Sequence, residues 1–241
     1  VNFLLEQKQA FIVWGELYDR ETWLEIEHTT APALYYALSA CLRNIAKLLL
    51  ERGADVNTQF GEYGNALQVA SRCGSKGLVE LLLDRGANIN AQGGTLGNAL
   101  QAASYRGNAE LVKLLVERGA DVNAQGGAFG NALQAASFRG SKELVELLLE
   151  KGADINAQDG KYGDALQAAS YCGNKELVEL LLERGADVNA QRGEYGCALV
   201  AACINGDKEL VELLLERGAD VNAQGGGHGN ALQIASSWGH K

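Results

Sequence analysis

The sequence predicts an all-α solenoid of stacked helix–turn–helix units with short hairpin-like arms, and three observations predict it. The 241-residue chain matches itself at a step of 33 residues. Leu67, Leu100, Leu133, Leu166, Leu199 and Leu232 recur at that interval, and Leu34 continues the row backwards. Gly53, Gly86, Gly119, Gly152, Gly185 and Gly218 keep the same step, so the 30 glycines mark fixed turn columns rather than low complexity. Self-similarity at a period of 20–50 residues is the signature of a stacked array, in which each unit buries its apolar face on its neighbours.

Residues 1–27 stand outside the period. Phe3, Leu4, Phe11, Ile12, Trp14, Leu17 and Tyr18 are spaced for one or two amphipathic helices. Their expected role is a cap on the first unit, alongside or instead of being the remnant of a preceding domain. The array then covers 28–241. A degenerate first unit (28–60) precedes five full ones (61–93, 94–126, 127–159, 160–192, 193–225), and a partial unit (226–241) follows. The chain begins at Val1, contains no Met and stops half-way through a unit, which is expected of a fragment.

The fourth unit shows how each element arises. Asn131 is placed to cap the first helix, and Gln134 three residues later to reach back as a capping box. Asn65/Gln68, Asn98/Gln101 and Asn230/Gln233 repeat the pair, and Asp164/Gln167 varies it. Ala132, Ala135 and Ala136 permit close helix approach, and Gly140 suits a left-handed helix end. Ser141 is expected to cap the second helix, as are Ser75, Asn108, Asn174 and Asp207 in theirs. Leu144, Val145, Leu147, Leu148 and Leu149 cover more than one stripe, which implies contact with the partner helix and both neighbouring units. Glu143, Glu146 and Glu150 are left for water. Gly152 stops that helix, and the following residues cross back as an extended arm. In the sixth unit Cys197 and Val200 replace the cap and the Gln, at a cost of about 1 kcal/mol.

Composition limits function. The formal charge is −9 and no Lys/Arg run is present, which argues against nucleic acid. No apolar run is long enough to span a bilayer, and residues 1–10 lack a signal-peptide pattern. The five cysteines form no disulfide framework. Cys73 and Cys172 share a column three units apart, about 30 Å at roughly 10 Å per stacked helix. Free thiols in the cell interior, in the cytoplasm, are the expectation. His28, His228 and His240 are scattered without metal-ligand spacing, so no metal or cofactor is expected. GGTLGNALQ before a helix lacks the P-loop Lys and recurs as a turn. No nucleophile–base arrangement stands out, and the paired glutamates read as solvating charges. The expectation is a non-enzymatic chain without a small-molecule substrate.

These units resemble ankyrin repeats. LLLERGADVNAQ (Leu180–Gln191) is similar to that family's second helix and loop, and Asn131-Ala132-Leu133-Gln134 stands where the family has Thr-Pro-Leu-His. The resemblance covers about 28–241 and implies a protein-binding array. The family's hairpin turn carries Asp and, three residues on, Gly. Here the first column is Phe60, Gly93, Gly126, Asp159, Arg192, Gly225, and the glycine has moved one place to Gly64 and its equivalents. The hairpin tip is therefore the part the family pattern does not describe. The GGxxGNALQAAS style also resembles arrays of filamentous-fungal NACHT proteins, and Ala10–Trp23 is similar to the segment before such arrays. That would make the chain the sensing or regulatory end of a nucleotide-driven switch. Asn57, Asn123, Asn156, Asn189 and Asn222 lie in a D-[VI]-N context similar to one that ankyrin-directed asparagine hydroxylases recognise.

Candidate binding residues are those that stacking leaves free to vary. One column runs Arg72, Tyr105, Phe138, Tyr171, Ile204, and its neighbour runs Cys73, Arg106, Arg139, Cys172, Asn205. Both lie at the end of the first helix, which in ankyrin arrays faces the concave groove. The arm column Tyr63, Leu96, Phe129, Tyr162, Tyr195 adds an aromatic ridge; alternatively its rings pack on one another between hairpins. Aromatics and Arg dominate protein–protein hot spots, so an unidentified protein partner on this concave helix-1/arm surface is the leading expectation.

Overall fold

Asn131 opens its helix as its chemistry requires: the backbone is extended there, and the side-chain oxygen accepts from Gln134 N–H at 2.9 Å. The computed structural model describes residues 33–225 and 229–237, apart from the side chains of Tyr63, Ala235 and Ser237. The expected flank over 1–27 lies outside the described residues. First helices are α1 (Ala33–Ser39), α3 (Ala66–Cys73), α5 (Ala99–Arg106), α7 (Ala132–Arg139), α9 (Ala165–Tyr171), α11 (Ala198–Asn205) and α13 (Ala231–Ser237). Second helices are α2 (Arg43–Glu51), α4 (Lys76–Asp84), α6 (Ala109–Glu117), α8 (Lys142–Glu150), α10 (Lys175–Glu183) and α12 (Lys208–Glu216). Each first helix from α5 to α11 packs on its own second helix and on the first helices of both neighbours, and α3 packs on α4 and α5.

Small residues make that packing close. Ala132, Leu133, Ala135 and Ala136 are all at most 1% exposed. On α8, Leu144, Val145 and Leu148 are fully buried, Leu147 and Leu149 are half-buried, and Glu143 and Glu150 face water. The core is therefore one line of Leu and Ala running through the units, as a one-dimensional stack demands.

Amide side chains tie unit to unit. Capping boxes close at Asn65/Gln68, Asn98/Gln101 and Asn230/Gln233. The same Gln then donates from its other end: Gln101 Nε2 reaches Ala124 O (3.2 Å) at the end of its own unit and Gly130 O (2.8 Å) of the next. Gln68 and Gln134 make equivalent bonds, but the expected capping box at Asn131 does not close, because Gln134 Oε1 has no hydrogen-bond partner. In the loops, Asn123 Nδ2 donates to Gly152 O at 2.9 Å while its Oδ1 accepts from Asp154 N–H at 2.8 Å. Asn57, Asn90, Asn156 and Asn189 repeat this bridge.

Second-helix caps divide by side-chain length. Asn108, Asn174 and Asp207 accept from the N–H three residues on, whereas Ser75 and Ser141 do not, contrary to expectation. At these Ncap residues ψ is about 90°, which leaves the shorter hydroxyl out of reach. The Asn caps also donate to the preceding unit, Asn108 to Gly74 O and Asn174 to Gly140 O.

The hairpin tip is a tight closure in which Gly126 N–H donates to Gly130 O at 2.7 Å. Successive arms are strung by single backbone bonds, Thr95 to Glu62 (2.9 Å), Ala128 to Thr95 (2.8 Å), Lys161 to Ala128 (3.0 Å) and Glu194 to Lys161 (2.9 Å). The displaced glycine follows from this contact. A Cβ on Gly130 (φ +86°) would sit 2.0 Å from Gln134 Oε1 and 2.6 Å from Asp159 O of the next arm. A Cβ on Gly127 would meet Gly97 N of the preceding arm at 2.5 Å.

Three units depart from the pattern. Cys41 holds the left-handed position (φ 55°) filled by Gly in later units. Cys197 makes no side-chain cap, as its thiol chemistry implies. At Asp164 the carboxylate draws Gln167 back: Gln167 Nε2 donates to Asp164 Oδ2 at 2.7 Å and to Ala190 O at 3.3 Å, both within its own unit. Burial, partly offset by hydrogen bonds from Gln167, pushes the Asp164 carboxyl from 3.8 up to about 6.

Two predictions follow from these contacts. Gly152 shares the positive φ of Gly130 but has open space around its Cβ position. Gly152→Ala should lose about 1–2 kcal/mol from left-handed strain alone, and Gly130→Ala clearly more, in denaturant titrations. Because the folded-state value of Asp164 is raised, its contribution to stability declines as pH rises from about 4 to about 6. Asp164→Asn should therefore stabilise the array at pH 7 by roughly 1–3 kcal/mol, with little gain at pH 4, when melting is compared at the two pH values.

Candidate protein-binding surface

The last turn of a first helix and the tip of an arm lie side by side, and their residues interleave. Tyr105, Phe138 and Tyr171 come from the helix column, and Phe129, Tyr162 and Tyr195 from the arms. Ring centroids are 4.7 Å apart for Tyr105–Phe129, 5.4 Å for Phe129–Phe138 and 4.8 Å for Phe138–Tyr162. They continue at 5.8 Å for Tyr162–Tyr171 and 4.6 Å for Tyr171–Tyr195. The six rings make one continuous ladder, at spacings where aromatic pairs contribute about 0.5–1.5 kcal/mol beyond burial.

Depth within the ladder differs between the columns. Tyr162 and Tyr195 are 8% and 5% exposed, whereas Tyr105 is 37% exposed and Phe129, Phe138 and Tyr171 are half-buried. The buried arm tyrosines form a floor, and the helix-column rings present the edge. Burial first, then the neighbouring Tyr171, pushes the Tyr162 phenol up to about 12 and that of Tyr195 higher still. Tyr162 and Tyr195 therefore stay uncharged at physiological pH. Lys161 Nζ lies 5.8 Å from the Tyr162 ring centre and 3.4 Å from Glu194 Oε2.

The other candidates flank the rings. Arg106 and Arg139 are exposed, while Arg72 and Ile204 are half-buried, Ile204 against the core. The Tyr63 side chain lies outside the described residues. In the neighbouring column, Cys73 donates to Leu38 O, Cys172 to Phe138 O and Asn205 to Tyr171 O, each reaching the preceding unit. Burial pushes both thiols up, Cys73 to about 11 with Cys41 as the second cause. The sequence reading missed these ties because the acceptors are main-chain carbonyls about one repeat away.

Elsewhere the chemistry is sparse. Among the described residues no group of His, Cys, Asp and Glu is placed to hold a metal ion, and no helix is long and apolar enough to cross a membrane. A depression between α6 and α8 is lined by Glu110, Lys113, Glu143, Glu146 and Glu150. Glu110 is ion-paired there with Lys76, which lowers its carboxyl below the usual range.

The family model for ankyrin repeats, built on three copies, matches residues 1–93, 38–126, 67–159, 100–192 and 165–241. The chain belongs to the ankyrin-repeat family. A crystal structure of the human ASB11 ankyrin repeat domain is similar, with 26% identity and a TM-score of 0.70. The match covers 85% of this chain and 92% of that one. A search of curated proteins finds no match. These comparisons lend no support to the resemblance of Ala10–Trp23 to NACHT proteins. An ankyrin array is a scaffold for protein–protein interaction, and such repeats are typically non-enzymatic.

The ladder should contribute to the stability of this ankyrin array as well as lining its surface. Phe138, touching Tyr105, Phe129, Tyr162 and Tyr171, should cost about 2–4 kcal/mol on replacement by Ala. The more exposed Tyr105→Ala should cost about 1 kcal/mol. Urea titration of the two variants measures the difference.

Proposed function

We propose that the array binds a protein partner, without catalysis, along the surface formed by the first-helix ends and the arms. The observation that carries this reading is the partly exposed edge of the ring ladder, with Tyr105, Phe138 and Tyr171 spaced one per unit. Preordered aromatics lose little entropy on binding, and together with arginine they are the residue types that dominate interface energetics. Arg72, Arg106, Arg139 and Ile204 extend the surface, and Phe129, Tyr162 and Tyr195 support it from below. A cytoplasmic site of action accords with cysteines held as hydrogen-bonded or buried thiols. The affiliation of Ala10–Trp23 with a nucleotide-driven switch is tested by whether the full reading frame encodes a P-loop module.

A second reading is supported by the exposure of Asn57, Asn123, Asn156, Asn189 and Asn222. Their loops present the D-[VI]-N context for asparagine hydroxylation. Four of these side chains are also held by bonds to the next unit, so modification requires the loop to open first. Intact mass after exposure to an ankyrin-directed asparagine hydroxylase tests this, and a mass without added oxygen contradicts it.

The main reading is tested by comparing the partners captured by the wild-type chain, by Tyr105→Ala/Tyr171→Ala and by Glu143→Ala/Glu146→Ala on a second helix. The tyrosine variant should lose specific partners while its circular dichroism is unchanged, and the glutamate variant should keep them. The reverse pattern would move the site to the second helices.

A further inference from the structure

Charge is segregated in this acidic chain. None of the seven first helices contains Asp or Glu, yet α3, α5 and α7 carry Arg72, Arg106 and Arg139 in their last turns. The second helices, by contrast, are rich in Glu. The two arms within the arginine stretch, Gly93–Gly97 and Gly126–Gly130, are uncharged. The flanking arms are charged: Glu62 lies on the preceding one, and Asp159 and Lys161 offset each other on the following one, whose Tyr162 packs on Phe138.

The arginine heads are left without partners. None of the seven ion pairs among the described residues uses Arg72, Arg106 or Arg139. In the column of Arg106 and Arg139, the residues of other units spend their polar atoms on the preceding helix end. The two arginines make no such bond. Their stems instead lie over the preceding cap glycines, Arg106 Cγ 3.9 Å and Arg139 Cγ 3.5 Å from where a Cβ on Gly74 or Gly107 would sit. Each stem is thereby supported while its guanidinium stays in water. Tyr105 and Phe138 immediately precede these arginines in sequence and supply an apolar surface beside them.

We propose that this arginine row docks an extended acidic segment of a protein partner, with carboxylates about three residues apart. The proposal rests on the binding surface assigned above. The spacing follows from geometry: stacked helices are roughly 8–10 Å apart, and a chain in the extended polyproline II conformation advances about 3.1 Å per residue with about three residues per turn, which returns every third side chain to the same face. One carboxylate per unit therefore falls on every third residue, where it can take a bidentate bond from guanidinium. The intervening side chains lie against the Tyr105 and Phe138 rings.

The test is fluorescence anisotropy with synthetic peptides of about twelve residues, enough to span three units. One carries Glu at every third position with Tyr or Leu between, one has the same composition with Glu in a block, and one replaces each Glu by Lys. The spaced Glu peptide should bind best, and Arg106→Glu/Arg139→Glu should weaken it by about tenfold or more while gaining affinity for the Lys peptide. Arg106→Gln/Arg139→Gln serves as a milder pair if the reversal disturbs folding, and should weaken binding without that gain. Binding of no peptide, a change under about twofold on charge reversal, or tighter binding of oligouridine RNA would overturn the proposal. So would a finding that the arginines govern self-association in sedimentation instead. If Tyr105→Ala alone abolishes binding while the arginine variants do not, the surface stands and the acidic segment falls. If neither matters, both fall.

Discussion

A side-chain amide has an oxygen that accepts and a nitrogen that donates, and this array depends on directing the two ends to different units. Gln101 Oε1 closes the cap of its own helix, and Gln101 Nε2 holds the next arm. Asn108 caps α6 with its oxygen and reaches Gly74 of the preceding unit with its nitrogen. Asn123 accepts from Asp154 and donates to Gly152. Helix termination and unit stacking are thus the same interaction. A helix that frays also releases its neighbour, which is how an array whose units touch only their neighbours becomes cooperative.

The exceptions vary the coupling along the chain. Ser75 and Ser141 cannot reach the acceptor position that Asn occupies, so α4 and α8 start without a side-chain cap. Asp164 brings the Gln167 donor back into its own unit and leaves a buried carboxyl group in place of a neutral amide. Cys197 and Val200 remove the cap and the Gln together, so the junction beyond α11 has only packing from that position, with Val200 methyl groups close to Gly225. In the third and fourth units the ring ladder coincides with glutamines that reach the following arm. These units also hold much of the surface assigned to binding. A rigid ladder there orders the exposed rings before any partner arrives.

Legibility in the sequence followed the range of each interaction. Caps at Asn65, Asn98 and Asn131 are contacts over three residues, and a cap residue followed by Gln declares them. The Leu and Ala columns show through periodicity alone. The donor end of the same Gln was invisible, because its target is a main-chain carbonyl 23–29 residues away and any residue type supplies one. Two aromatic columns were evident, but not that arm rings insert between helix-end rings, burying Tyr162 and Tyr195 and leaving Tyr105 at the edge. The moved hairpin glycine is plain in the sequence, but its cause is not. Backbone of one arm against backbone of the next supplies it, and such a contact has no side-chain signature beyond the glycine itself.

The most direct measurement is native-state hydrogen exchange on Gln101→Leu, which puts an apolar side chain of similar size in place of the amide. If amides couple the units, protection should fall both at the start of α5, where Gln101 Oε1 accepts from Asn98 N–H, and in the next arm, Ala124–Gly130, whose carbonyls Gln101 Nε2 holds. Loss confined to α5, with the next arm as protected as before, would contradict the account.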